Sequence, residues 1–143
     1  MRLYVKRLHE KAKIPKYMYK GDVGFDLSSV QSHFIVPGQM KMVNTGIAVR
    51  IPDGYEMTVR QRSGLSKLFP NYIAIGIGTI DIGYVGEIIV PIVNNTKDKN
   101  FIINIGDRIA QGIVSPVLNP EIVEVNELIP TERGSNGFGS TGV

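Results

Sequence analysis

The sequence predicts an all-β fold, a jelly-roll β-sandwich or barrel with at most one short helix. Proline or glycine recurs about every dozen residues, which is too often for a bundle of helices. Between these residues lie short β-branched stretches, many of which alternate apolar and polar side chains with the period of two typical of strands. The chain of 143 residues has the length of one domain with its own core. We expect residues 1–130 to form that domain.

The predicted strands follow one another along the chain. IPDGYE (51–56) and NIGDRIAQ (104–111) each place Asp beside Gly between two strands, which favours tight turns. SGLSKLF (63–69) predicts one or two helical turns, capped by Ser63 and stopped by Pro70. In chain order the predicted strands are HFIVP (33–37), MVNTGIAVRIP (42–52), YEMTVRQ (55–61), YIAIGIGTIDI (72–82), EIIVPIV (87–93), FIINI (101–105), IAQGIVSPV (109–117) and EIVEV (121–125).

The composition limits the cellular compartments and the classes of partner that we expect for this protein. The absence of cysteine excludes a disulfide framework, a thiolate nucleophile and a cysteine metal site. No apolar run approaches the length of about 20 residues that crosses a bilayer, and the N-terminus lacks the continuous apolar region of a secretory signal. The net charge of +3 is small and the basic residues are scattered, which favours a solvated surface. We expect a cytosolic protein, in the host cytosol if a virus encodes it, with no nucleic-acid or membrane partner.

The C-terminal stretch RGSNGFGSTGV (133–143) differs from the rest of the chain. Its glycines are costly to order and it offers one aromatic side chain, Phe138. A frayed tail is one interpretation. The other is a flexible arm over residues 131–143 that orders on a polyphosphate, because unencumbered backbone N–H groups, two hydroxyls (Ser140 and Thr141) and the guanidinium of Arg133 suit phosphate oxygens.

The central stretch YIAIGIGTIDIGYVGEI (72–88) predicts a slot for a planar ligand. Isoleucine occupies every second position from Ile73 to Ile77, whereas alanine or glycine occupies the alternate positions through Gly78. In one extended strand, this pattern makes one face apolar and leaves the other nearly bare. A ligand could then approach the backbone itself.

Asp81 lies among isoleucines in this stretch. Burying a carboxylate there costs free energy, so the residue should have either a polar partner or a functional role. One interpretation is structural, with Asp81 capping a turn at Gly83. The alternative is a general base for water, with the ring of Tyr84 packing against a sugar.

Three shorter motifs carry polar side chains whose roles are ambiguous one by one. RSGLS (62–66) combines a guanidinium, a hydroxyl and a predicted helix start, which together suit a phosphate. Arg108 and Gln111 could each be structural, as a buried ion pair and a hydrogen-bonding strand end. Asp26 could be a turn residue or a carboxylate near a metal.

Taken in order, these motifs carry a resemblance that extends from Gly21 to the C-terminus. They resemble the five ordered motifs of the trimeric dUTPase family, the deoxyuridine triphosphate nucleotidohydrolases. The motifs are GDVGFDL (21–27), RSGLS (62–66), GTIDIGYVGEI (78–88), GDRIAQ (106–111) and RGSNGFGSTG (133–142).

The resemblance implies a jelly roll that assembles as a homotrimer, with active sites at subunit boundaries and a C-terminal arm that closes a neighbour's site. It also implies hydrolysis of dUTP to dUMP and pyrophosphate by attack of water on the α-phosphorus, with Asp81 as the general base. Mg²⁺ would be chelated by the phosphates, and Asp26 would contact its water shell.

The resemblance further assigns the substrate contacts residue by residue. Phosphate oxygens would be held by Arg62, Ser63, Gly64 and Gln111, and in the arm by Arg133, Gly139, Ser140 and Thr141. The base would be read by the main chain around Gly76, Gly78 and Thr79 and covered by Phe138, while Tyr84 would rest on deoxyribose. Family members commonly carry Asn at Ile75, so one side-chain contact to uracil is absent here.

Two rival functions are weighed against this one. A deaminase of the related dCTP deaminase family would need a catalytic Glu in the strand after the Asp81 motif, where Pro91 stands, and Glu87 is too close to the turn. A non-catalytic, regulatory β-sandwich binding protein is the other alternative, against which the intact Asp81, Tyr84, Arg133 and Phe138 count.

Overall fold

The computed structural model describes residues 1–74 and 76–137, and within them it is almost entirely β. The helix over Ser63–Ser66 is the only one in these ranges. In the same part of the chain, no helix has the length and apolar character needed to cross a membrane. The strands are β1 (Tyr4–Arg7), β2 (Phe25–Ser28), β3 (His33–Ile35), β4 (Met40–Arg50), β5 (Tyr55–Arg60), β6 (Gly78–Ile80), β7 (Glu87–Val93), β8 (Phe101–Ile103) and β9 (Arg108–Pro116), and the helix is α1.

The strands form three antiparallel sheets. Their strand orders are β1-β4-β7, β2-β9-β5-β6 and β3-β8. In the second sheet β9 lies between β2 and β5, so it brings together three segments that are far apart in sequence. The antiparallel architecture confirms the predicted all-β class and positions the candidate site at this sheet.

One hydrophobic core is shared by the three sheets. The alternation predicted for EIIVPIV is present in β7, where Ile88, Val90 and Ile92 are fully buried and the residues between them are not. Met57 on β5 and Ile35 on β3 join the same cluster. Each such side chain contributes roughly 1.5–3 kcal/mol of transfer free energy, which fixes the register of each strand.

The prediction of one continuous strand over residues 72–82 is wrong. Only Gly78–Ile80 forms a strand, and Ile73 makes an isolated bridge to Ile92 of β7. Between them Gly76 adopts a positive φ of 71°, and its N–H donates to the carbonyl of Ile73 in a tight turn. Because this turn breaks the period of two, Ile73 is buried whereas Ile77 is exposed, and the predicted two-faced slot does not form as one strand.

The strand predicted at EIVEV (121–125) is absent as well. Every residue from Glu121 to Pro130 is exposed, and no strand includes them. The segment carries large apolar side chains that are almost fully exposed, among them Ile122, Leu128 and Ile129. Alternation alone cannot form a strand when no partner strand lies beside it.

The sequence also left two strands unpredicted and placed one helix cap wrongly. β1 and β2 were not foreseen, and Asp26 therefore lies in a strand, not in a turn. In the helix, Arg62 occupies the N-cap position with extended backbone and no side-chain cap, and Ser63 is the first helical residue. The hydroxyl of Ser63 is consequently not used for capping.

Candidate active site

A cleft of about 740 Å³ opens beside β2, β5 and β9. β9 places the side chains in register, because Gln111 lies opposite Asp26 of β2 on one side and opposite Arg60 of β5 on the other. We call it the phosphate cleft, after the ligand that the sequence motifs lining it predict. Five residues predicted from three separate motifs line it together: Asp26, Arg62, Ser63, Gly64 and Gln111.

Asp26 pairs with two arginines in this cleft. Its Oδ1 accepts a hydrogen bond from Arg62 Nε at 2.6 Å, and its Oδ2 accepts one from Arg108 Nη1 at 3.2 Å. The carboxylate is 17% exposed, so the pair with Arg62 is partly shielded from water. Two guanidinium groups against one carboxylate leave a net positive charge, and Asp26 fixes the orientation of Arg62 for an anionic ligand.

Gln111 is held by the segment that leads into the helix. Its Nε2 donates to the carbonyl of Gln61 at 2.7 Å. Its Oε1 lies so close to Gly24 that a Cβ there would approach it to 2.9 Å, so the glycine permits this packing. Ser63 and Gly64, by contrast, are exposed at the mouth of the cleft.

Tyr72 supports the phosphate cleft from below, and sequence reasoning missed it. The side chain is fully buried; its hydroxyl accepts the N–H of Arg62 at 2.8 Å and donates to the carbonyl of Ile109 at 2.7 Å. Burial raises the pKa of the Tyr72 phenol, and the Arg62 contact offsets part of that rise. From the sequence, a tyrosine within an apolar stretch indicates only that its hydroxyl needs a hydrogen-bond partner if it is buried. Which residue becomes the partner depends on the tertiary fold.

Asp81 lies on an exposed turn. The N–H of Tyr84 donates to the Asp81 carbonyl at 3.2 Å, and Gly83 between them has a φ of 86°, which a side chain would oppose. The expected apolar surroundings are absent, because residues 81–85 are all exposed, including the neighbouring Ile82. In the described part of the chain the Asp81 carboxylate accepts no hydrogen bond, so it does not cap the turn.

The far side of this turn is anchored by Glu87. Its carboxylate accepts hydrogen bonds from Asn44 Nδ2 and from the N–H of Gly46, both at 2.8 Å. Tyr84 is 46% exposed, and its hydroxyl donates to the Glu87 carbonyl at 3.0 Å. Both oxygens of Glu87 are occupied in positioning the turn, so this carboxylate is not available as the catalytic Glu of a deaminase.

The phosphate cleft and the Asp81 turn are far apart on one chain. Ile80, which precedes Asp81, lies opposite Met57 on β5, whereas Arg62 follows the other end of β5. A strand rises about 3.3 Å per residue, which separates Asp81 from Arg62 by roughly 15–20 Å. Thus one chain does not bring all the predicted site residues together.

The remaining predicted contacts divide between the turn region and the C-terminus. Gly78 and Thr79 line a separate apolar cleft of about 430 Å³, and Gly76 is exposed nearby. Arg133 is exposed, and its Nε donates to the carbonyl of Asn136 at 3.0 Å. Five predicted positions lie outside the described residues: Ile75, Phe138, Gly139, Ser140 and Thr141.

The antiparallel sheets define a jelly-roll protein, and the charge of the cationic cleft suits a phosphate-bearing ligand. The model of the dUTPase family matches residues 10–142. The chain belongs to the dUTPase family. This confirms the predicted family, the jelly-roll fold and the enzyme class of a dUTP diphosphatase.

Curated relatives match the chain over nearly its full length. The deoxyuridine 5'-triphosphate nucleotidohydrolase of Nautilia profundicola is 45% identical over 142 residues, which cover 99% of each chain. That of Helicobacter pylori (strain Shi470) is 43% identical over 143 residues, which cover all of this chain and 98% of the relative.

Solved structures share the fold. The dUTPase of Staphylococcus bacteriophage 80alpha with dUPNHPP has a TM-score of 0.87 at 30% identity and covers 99% of each chain. A D95N mutant dUTPase from phage phi11 of S. aureus, described with a structural Mg(II) ion, has a TM-score of 0.81 at 29% identity. The match covers 90% of this chain and 99% of the phage phi11 chain.

Proposed function

We propose that the chain hydrolyses dUTP to dUMP and pyrophosphate in active sites shared between the subunits of a homotrimer. The observation that carries the proposal is the distance of roughly 15–20 Å between Arg62 and Asp81 on one chain. A base must lie within hydrogen-bond reach of the water that attacks a bound phosphate. The phosphate cleft of one subunit therefore meets the Asp81 turn of another.

The identity of the substrate is supported by the relatives. Proteins at 42–45% identity are named deoxyuridine 5'-triphosphate nucleotidohydrolases, and a phage structure of the same fold holds dUPNHPP. The cationic phosphate cleft suits a triphosphate, because Arg62 is already oriented by Asp26. Its role is to bind phosphate oxygens, together with Ser63, Gly64 and Gln111.

The chemical step assigned to Asp81 is proton abstraction. The carboxylate takes a proton from a water molecule as the water oxygen bonds to the α-phosphorus; the bond from the α-phosphorus to the bridging oxygen breaks, and pyrophosphate leaves. Exposure on the single chain leaves the carboxylate accessible to a neighbour's substrate. Tyr84 packs against deoxyribose beside it, and the backbone around Gly76, Gly78 and Thr79 reads the base.

The residues present fit Mg²⁺ bound mainly by the nucleotide. Within residues 1–74 and 76–137, no three Asp, Glu or His side chains lie close enough together to form a metal site. Asp26 lines the phosphate cleft, and the resemblance of the motifs assigns it to the metal. One carboxylate is enough to contact the water shell of an ion that takes its inner ligands from phosphates and water. When bound, the ion would neutralise negative charge on the triphosphate.

The exposed C-terminal segment supports assembly into a trimer. The apolar side chains of Leu118, Ile122 and Leu128 are almost fully exposed on one chain, and their burial against other copies would stabilise the trimer. The same segment leads to the arm, in which Arg133 and residues 138–141 would close the site of a neighbour. The cysteine-free composition agrees with a cytosolic location.

A mixing experiment tests the shared site. Arg62→Ala and Asp81→Ala should each reduce kcat/KM at least about a hundredfold, because each removes a different part of the site. The two variants are then unfolded and refolded together in equal amounts. Random assembly should produce an intact phosphate cleft and an intact Asp81 turn together in about one quarter of the sites. Pyrophosphate release from dUTP should then recover to about one quarter of the wild-type rate.

The matched control mixes Asp81→Ala with Tyr84→Ala. Both variants damage the same part of the site, so no pairing of subunits repairs it and the mixture should stay inactive. An inactive Arg62→Ala and Asp81→Ala mixture whose chains have assembled would instead show that each site lies within one chain, and would contradict the proposal.

A further inference from the structure

A second cleft, of about 410 Å³, adjoins the phosphate cleft, and we call it the side cleft. It lies between the segment that follows β1 and the start of β9. Asp26, Arg108 and Met18 line both clefts, so the two are continuous at the Asp26–Arg108 ion pair. The cationic side chains that line the side cleft are Arg7, Lys13, Lys16 and Arg108.

The side cleft has an excess of positive charge. Asp26 is the one carboxylate among its lining residues, and both of its oxygens are engaged by Arg62 and Arg108. Lys13 Nζ donates to the carbonyl of Gly106 at 2.8 Å, which holds this lysine against the β8–β9 turn. Within the described ranges, Arg7 and Lys16 make no ion pair. Uncompensated cations on one concave surface attract a compact polyanion.

We propose that the side cleft binds inorganic pyrophosphate, the anion that the proposed reaction releases; the inference rests on that proposed function. The leaving group is freed in the phosphate cleft, where Asp26 and Arg108 form the boundary with the side cleft. Passage across this boundary exchanges contacts with Arg62 for contacts with Arg7 and Lys16. An open cleft of this small volume suits a compact anion better than an extended nucleic-acid backbone.

The first measurement asks whether pyrophosphate binds while the phosphate cleft is occupied. The protein is first titrated with dUPNHPP, and the saturated complex is then titrated with pyrophosphate by isothermal calorimetry at constant ionic strength. The proposal expects one pyrophosphate per chain on the saturated complex. If dUPNHPP binds and pyrophosphate does not, the side cleft is not a pyrophosphate site and the proposed function is unaffected. If dUPNHPP itself does not bind, the proposed function fails and this inference fails with it.

The second measurement locates the binding site with charge-matched variants. Arg7→Gln with Lys16→Gln removes two cations from the side cleft, and neither residue belongs to the phosphate cleft. The control, Lys97→Gln with Lys99→Gln, removes two exposed cations from the loop between β7 and β8. The side-cleft pair should weaken pyrophosphate binding on the order of tenfold, and the control pair by less than about twofold.

Two results of this comparison would overturn the assignment. Equal weakening by both pairs would show that pyrophosphate responds only to the net charge of the protein. Unchanged binding in the side-cleft pair would place pyrophosphate elsewhere. In both variants, unchanged affinity for dUPNHPP establishes that the protein is folded and that the phosphate cleft is intact.

Discussion

The phosphate cleft and the Asp81 turn differ in how their functional groups are held. In the cleft, Asp26 bonds to Arg62 and Arg108, and Gln111 bonds to the backbone at Gln61. At the turn, the backbone, Glu87 and the Tyr84 hydroxyl are held by hydrogen bonds, whereas the carboxylate of Asp81 is exposed. One chain thus assembles the cleft that we propose binds phosphate, and it presents outward the carboxylate that we propose acts on water.

Because of this difference, substitutions in the two regions should affect the stability and the activity of the protein differently. A change in the cleft breaks hydrogen bonds within the chain, so it should lower the free energy of unfolding and activity together. A change in the turn or the C-terminal arm touches few contacts within the chain, so it should lower activity and leave stability near the wild-type value. The predictions below test this separation from the largest expected effect to the smallest.

Ending the chain at Glu132 should reduce kcat/KM by about a hundredfold or more. The deletion removes Arg133 and residues 138–141, which the proposed mechanism uses to close the site and exclude water. The urea midpoint of unfolding should stay unchanged, because the described residues at the start of the deleted stretch, 133–136, are exposed and contribute little to the core. A control chain lacking only Val143 should keep full activity. Wild-type turnover of the shorter chain would rule out an active-site arm.

Asp26→Asn should reduce kcat/KM by about 10- to 100-fold and should also lower stability. The substitution removes the charge that holds Arg62 and Arg108, and charge-assisted hydrogen bonds of this kind are worth roughly 1.5–3 kcal/mol. Titration with Mg²⁺ distinguishes two roles of Asp26. If Asp26 contacts the water shell of the ion, the variant should require more Mg²⁺ for half-maximal activity; if Asp26 only holds the arginines, this concentration should not change. Asp98→Asn, on an exposed loop, is the control and should change neither quantity.

The sequence predicted the phosphate cleft better than the region of the Asp81 turn, for a physical reason. Asp26, Arg62 and Gln111 each belong to a compact motif, and the pairing of β9 with β2 and with β5 brings these motifs together. The stretch before Asp81 alternates isoleucine with small residues, but the positive φ of Gly76 breaks the predicted strand. Periodicity records which residues are apolar and does not record where a glycine turns the chain.

Features that depend on distant partners could not be predicted from local pattern. Tyr72 was missed because its bonds to Arg62 and Ile109 join residues far apart in sequence. EIVEV was predicted as a strand, although no strand in the described part of the chain lies beside it. The separation of Asp81 from Arg62 likewise follows from the pairing of β5 with β6, which the motif order does not encode.

Tyr72→Phe should lower the free energy of unfolding by about 1–3 kcal/mol. The ring remains, but the N–H of Arg62 and the carbonyl of Ile109 lose their partner beneath the cleft. The effect on kcat/KM should be smaller than that of Asp26→Asn, because the Asp26–Arg62 pair stays intact. Urea unfolding measures the change, with the exposed Tyr4→Phe as the control. Equal stability of both variants would show that the Tyr72 hydroxyl contributes nothing net.

His33 offers the smallest effect and lies outside both regions, on β3 of the β3-β8 sheet. Its Nε2 is buried and has no hydrogen-bond partner among the described residues. Burial, together with the charge of Lys41, lowers the pKa of His33 below its ordinary value of 6.5. Below that value the unfolded chain binds the proton more readily than the folded chain, so stability present above about pH 6.5 is lost as the pH falls through the folded-state pKa. His33→Gln should flatten this slope in urea unfolding measured between about pH 7 and pH 5, whereas His9→Gln, at an exposed position, should keep it. Because His33 is not among the residues that line the phosphate cleft and is not part of the Asp81 turn, kcat at neutral pH should not change in either variant. A loss of kcat in His33→Gln would mean that His33 is coupled to the site through the core, against the separation of stability from activity argued above.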